Sequence, residues 1–143
     1  MKIIILLASL ALTLSANGII IKNSKNSVEK TMYMIQNIVT KKGFTVFAVV
    51  DHQANADRVR MHLAPSKEII FGNPKMGTIL MQENMMAGLD LPIRILVFSD
   101  KEEKTKIAYR DGEWLGMEHD LTKSALLNKM NFTLDNITTE AGR

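Results

Sequence analysis

The sequence contains no cysteine. That one absence excludes disulfides, thiolate metal sites, covalent haem attachment, a lipid-anchored N-terminal thiol and a cysteine nucleophile. Dense blocks of Lys or Arg are missing too. The net charge is +3, with acidic and basic residues alternating along the chain, so nucleic acid is not an expected partner despite a pI near 9.2. No apolar run reaches the roughly 20 residues that a membrane span needs. Internal repeats, linkers and low-complexity tracts are absent as well. Without disulfides, stability must come from packing, and the ten methionines suit a soft, adaptable core.

What is present is a chain of one-domain length, 143 residues, with ordinary globular proportions of hydrophobic (46%) and charged (23%) residues. It opens MKIIILLASLALTLSANG: one Lys, an apolar run from Ile3 to Leu14, then small and polar residues. This is the pattern of a secretory leader, residues 1–16, with cleavage after Ala16. Ser15 and Gly18 are alternative cut sites, and an uncleaved anchor is the competing reading. The expected location is therefore periplasmic or secreted, with no stable membrane span after cleavage.

Residues 19–140 read as one α+β domain. Ile19 to Lys22 is a short strand. Asn26 and Glu29 have capping-box spacing, and Val28, Met32, Ile35 and Val39 form one helix face that stops at Gly43. Thr45 to Val50 is a continuous apolar run, expected as a strand buried on both faces. A short helix over Asn55 to Met61 and a strand over Lys67 to Phe71 follow. Asn73-Pro74 then starts a helix that the pattern carries to about Ala87. Arg94–Ser99 and Thr105–Tyr109 form a hairpin around a charged turn. Leu121, Leu126, Met130, Leu134 and Ile137 mark a last amphipathic helix.

The stretch IFGNPKMGT, Ile70 to Thr78, raises the question of a phosphate cradle. Gly72 and Gly77 have the spacing of a nucleotide loop, but the lysine that should follow the second glycine is missing. Pro74 also removes one of the N–H groups that would donate to phosphate. A nucleoside triphosphatase is excluded. Two weaker readings remain: a helix start with Lys75 that favours an anion, and a plain helix cap in which Gly77 lets the helix lie close to a strand.

FTVFAVVDHQANA (Phe44 to Ala56), IIFGNPKMGTILMQ (Ile69 to Gln82), GLDLPIRILVF (Gly88 to Phe98) and IAYRDGEWL (Ile107 to Leu115), followed by His119, occur in order. Together they resemble the domain of unknown function 302 family, from about Ser24 to Leu121. One position departs: Gly112 follows Asp111 where the family pattern has Pro. The resemblance implies a TATA-binding-protein-like β-α-β sheet with helices packed on one face, usually as a homodimer. It implies neither DNA binding nor any established activity.

The residues that could carry chemistry are few. Asp51 and His52 end a strand, where a carboxylate could orient an imidazole, although strand neighbours point to opposite faces. Asn73, Lys75 and Gly77 belong to the helix start. Trp114 and His119 form either an apolar corner or the wall and axial ligand of a haem. Met81, Met85 and Met86, read on one helix, could hold Cu(I), or simply form core or a dimer contact. The expectation is a non-enzymatic, exported homodimer that binds a small apolar or anionic ligand, haem among the candidates. The proposed ligand-binding residues are Asp51, His52, Asn73, Lys75, Gly77, Trp114 and His119. The alternatives are an enzyme using His52 or His119 with an acidic partner, and a copper-handling protein.

Overall fold

The computed structural model describes residues 17–143, so the leader reading of residues 1–16 lies outside the described residues. Five strands form one antiparallel sheet: β1 (Ile19–Asn23), β2 (Thr45–Asp51), β3 (Ser66–Gly72), β4 (Ile93–Ser99) and β5 (Thr105–Arg110). Their order across the sheet is β1-β5-β4-β3-β2. The helices are α1 (Val28–Lys41), α2 (His52–Arg58), α3 (Pro74–Glu83), α4 (Gly112–Glu118) and α5 (Ser124–Ala141), with one 3₁₀ turn over Met85–Leu89.

Period-two alternation puts Ile69 and Phe71 of β3, Ile95 and Val97 of β4, and Ile107 and Tyr109 of β5 on one face, all buried. α1 and α5 cover that face. The α1 stripe of Val28, Met32, Ile35 and Val39 is buried as its spacing requires, and α5 supplies Leu127, Met130, Leu134, Ile137 and Ala141. Each fully buried Leu or Ile contributes roughly 1.5–3 kcal/mol. Burial also pushes the Tyr109 phenol up to about 12.

Several boundaries differ from the sequence expectation. Ser27, not Asn26, caps α1, accepting from the Lys30 N–H at 3.2 Å, while the Asn26 amide donates to the Arg143 carbonyl at 2.8 Å. Gly43 does close the helix, at φ +79°. β2 is not buried on both faces. It is one edge of the sheet, with no strand beyond it among the described residues, and Phe47 is 51% exposed and Val46 and Val49 are also exposed. α2 starts at His52 rather than Asn55, because Asp51 caps it by accepting from the Ala54 N–H at 2.9 Å.

α3 ends at Glu83, short of Ala87. Asn84 leaves the helical region (φ −144°, ψ 112°), and its side chain caps the following 3₁₀ turn through the Met86 N–H. Met81 and Met85 therefore do not share a helix.

Helix α4 was not expected at all. Asp111 caps it, accepting from the Trp114 N–H at 2.8 Å, and α4 lies against α5. The contact explains the glycine at 112. Its N–H donates to the Asn131 side chain, and a Cβ there would come within 2.6 Å of the Leu127 carbonyl oxygen. Proline would lose the hydrogen bond and add the clash. We expect Gly112→Ala to destabilise the protein by about 1–3 kcal/mol in chemical denaturation, and Gly112→Pro by more. An unchanged midpoint for both would contradict this packing.

Candidate functional site

Two concave regions flank the start of β4. The larger encloses about 490 Å³ between the first two turns of α3 and the middle of α5. The chain builds it because β3 ends at Gly72 and turns at once into α3. Asn73 caps that helix, its Oδ1 accepting from the N–H groups of Lys75 (3.0 Å) and Met76 (3.2 Å), and the Gly77 N–H goes to the Asn73 carbonyl. With Pro74 lacking an N–H, the first donors of α3 are already used within the turn. The IFGNPKMGT stretch thus presents no ring of free amides to a phosphate.

α3 buries only Leu80 and leaves space on its inner side. That space is walled by Phe44, Phe71, Met76, Met81, Ile93 and Leu134. Phe44 and Phe71 meet edge to face, with centroids 5.7 Å apart. Phe47 and Phe132, both more than half exposed, stand at its opening. Gly77 faces the same space, and a Cβ placed there would meet nothing within 4 Å. Close approach to a strand is therefore not the reason for glycine at 77.

The smaller cleft holds about 270 Å³, lined by Glu68, Asp90, Arg94, Arg110, Asp111 and Trp114 among others. Behind it lies a His–Asp pair. His119 Nε2 and Asp90 Oδ2 are 2.7 Å apart, and the imidazole is buried. The Arg110 guanidinium is 4.0 Å from the other Asp90 oxygen and 4.3 Å from the centre of the Trp114 ring. Trp114 meets His119 edge to face at 6.5 Å. The Asn84 amide also donates to the His119 carbonyl at 2.8 Å, tying the 3₁₀ turn to the end of α4. This arrangement can hold an imidazole in one orientation and shift a proton along the His119–Asp90 axis.

The residues singled out from the sequence therefore divide. Asn73 and Gly77 line the larger cavity, while Lys75 is exposed and outside its lining. Trp114 lines the cleft, and His119 stands behind it. Asp51 and His52 belong to neither. Asp51 caps α2 and lies 3.3 Å from Lys67, which also pairs with Glu29. The Ala54 amide, chiefly, and then Lys67 hold the Asp51 carboxyl below its usual range; Glu29, then Asp51, push the Lys67 ammonium up. His52 opens α2, and among the described residues no hydrogen bond joins it to Asp51.

A haem in the larger cavity would find no imidazole in its walls, only the thioethers of Met76, Met81 and Met130. His119 has its Nε2 committed to Asp90. Of the proposed copper ligands, Met81 faces the cavity while Met85 and Met86 are exposed on the 3₁₀ turn. Among the described residues no group of three His, Cys, Asp or Glu side chains converges. No local pattern in the sequence points to Lys42, Phe47, Lys129 or Phe132 at the cavity, or to Asp90 and Arg110 beside His119. Asp90 and His119 are separated by 29 positions, and no local spacing signals their meeting.

Comparison with known proteins places this geometry in a family. The pattern described as "Domain of unknown function DUF302" matches residues 20–137. Proteins called fluoride-specific ion channel FluC 1 from Brucella suis biovar 1 (strain 1330) and Brucella abortus biovar 1 (strain 9-941) are each 38% identical over 109 residues, 76% of this chain. The chain spans only 43% and 40% of their respective lengths. The crystal structure of an uncharacterized conserved DUF302 protein from Bacillus stearothermophilus superposes with a TM-score of 0.69 at 15% identity, covering 87% of this chain and 95% of that one. The expected resemblance thus holds for the fold and for the family: the chain belongs to the DUF302 family.

Proposed function

We propose that the chain is an exported, homodimeric module that takes a small apolar ligand into the space between α3 and α5. One observation carries the binding part: a cavity of about 490 Å³ whose walls are mostly aromatic and aliphatic side chains with a few polar groups at the edge. That size and lining are typical of small-molecule sites. The leader pattern at residues 1–16 supports export. The exposed apolar edge formed by Val46, Phe47 and Val49 supports pairing of two copies, since an open strand edge is a template for another chain.

The name of the Brucella relatives belongs to polypeptides more than twice as long as the matched segment. No helix among the described residues is long and apolar enough to cross a membrane. We therefore read the shared segment as an accessory module of those channels rather than as the conducting part.

A second reading rests on the His119–Asp90 pair at 2.7 Å beside Arg110: an enzyme that moves a proton in the smaller cleft. On that reading any turnover found with this protein falls by roughly 10²–10⁴-fold in Asp90→Asn. Undiminished turnover in the variant removes it.

The binding reading is tested with a neutral fluorescent probe, N-phenyl-1-naphthylamine, and the variant Gly77→Leu. A Cβ at position 77 meets nothing within 4 Å, and leucine is the better helix former by roughly 0.5–1 kcal/mol. We expect the wild-type protein to bind one probe per chain, and Gly77→Leu to melt no lower yet bind at least tenfold more weakly. Equal binding by both would overturn the assignment of the site. Sedimentation of the same sample should give the mass of two chains; the mass of one removes the dimer.

A further inference from the structure

We infer that the ligand of the larger cavity is an amphiphile with one anionic head group, its apolar body held between α3 and α5 and its charge met by Lys42 and Lys129. This rests on the binding reading above and narrows it to a chemical class.

The charge of the lining is one-sided. It contains Lys42 and Lys129 and no Asp or Glu. Acidic residues are not scarce elsewhere, since the chain has 15, so their exclusion from this lining sets the sign of its potential. Both lysines are exposed, and among the described residues neither forms an ion pair. Two unpaired ammonium groups at the rim of an apolar cavity disfavour a cation and leave a neutral ligand's head without a charged partner. An anion satisfies them.

Polarity is also segregated in space. On α5, Lys129, Thr133 and Asn136 follow at steps of four and three, which places them along one edge of the helix. Lys42 is at the end of α1, one residue before the Gly43 turn, and both flank the cavity. The floor, formed by Phe71, Met76, Met81, Ile93 and Leu134, is apolar throughout. A ligand charged at one end and apolar along the rest matches this division. A compact, fully polar anion such as phosphate would leave the floor unfilled. Methionines at 76, 81 and 130 give walls that can adjust to apolar bodies of different shape.

The test displaces bound N-phenyl-1-naphthylamine with decanoate, decanol and decyltrimethylammonium, each below its micelle-forming concentration, from wild-type protein and from Lys42→Ala/Lys129→Ala. Wild-type protein should take decanoate at least tenfold more tightly than decanol, with decyltrimethylammonium the weakest. The double variant should bring decanoate to the level of decanol while leaving decanol and the probe unchanged. Equal displacement by all three compounds, or decanoate binding that ignores the two substitutions, overturns the anionic head group while the cavity assignment stands. Failure of the probe to bind at all overturns both.

Discussion

The space between α3 and α5 depends on how β3 hands over to α3. Gly72 ends the strand, Asn73 caps the helix with two hydrogen bonds, and Pro74 sets the first turn. This compact junction directs α3 away from the sheet, so that it buries Leu80 and little else. A helix with more apolar residues on its inner side would settle onto α5 and close the gap. Gly77, with open space where a side chain would be, keeps the gap wide at its middle. The stretch that looked like a phosphate loop therefore shapes an apolar cavity.

The two concave regions are neighbours. Leu91, Ile93 and Met130 belong to the walls of both, so one thin apolar partition separates a lysine-rimmed cavity from a cleft where Arg94 and Arg110 face Glu68, Asp90 and Asp111. Their chemistry differs. The cavity is apolar with charge of one sign at its rim, which suits recognition of a ligand. The cleft carries both signs and backs onto a buried imidazole, which suits internal pairing as well as proton transfer. His119 bonded to Asp90, with Trp114 against its edge, also fixes the end of α4, and a structural role accounts for much of its burial.

Much of the fold was legible in the sequence because local periodicity and local caps decide it. The four-three-four spacing on α1 and the Asn73-Pro74 start of α3 needed no tertiary information, and the strands fall within a residue or two of their apolar runs. The larger misses come from partners distant in sequence, whereas the α2 and α3 boundaries turn on the local caps Asp51 and Asn84. The run from Thr45 to Val50 is apolar because it carries exposed side chains at the sheet edge and the opening of a cavity, and a run alone does not say how many sheet neighbours a strand has. Helix α4 was hidden because GEWLGME is short and holds two glycines; it forms where Asp111 caps it and α5 receives Gly112 and Gly116 closely. The cavity was only half visible: Asn73 and Gly77 lie in a recognisable motif, but Lys42, Phe47, Lys129 and Phe132 reach it from other segments.

The methionines offer the most direct measurement of the central claim, that the ligand enters between α3 and α5. Met76, Met81 and Met130 line that space, whereas Met85, Met86 and Met117 are exposed and outside it. With ¹³C-methyl methionine and assigned spectra, saturating N-phenyl-1-naphthylamine should shift the methyl resonances of Met76, Met81 and Met130 and leave those of Met85, Met86 and Met117 in place. Shifts confined to the exposed set, with the cavity methyls unmoved, would contradict the account.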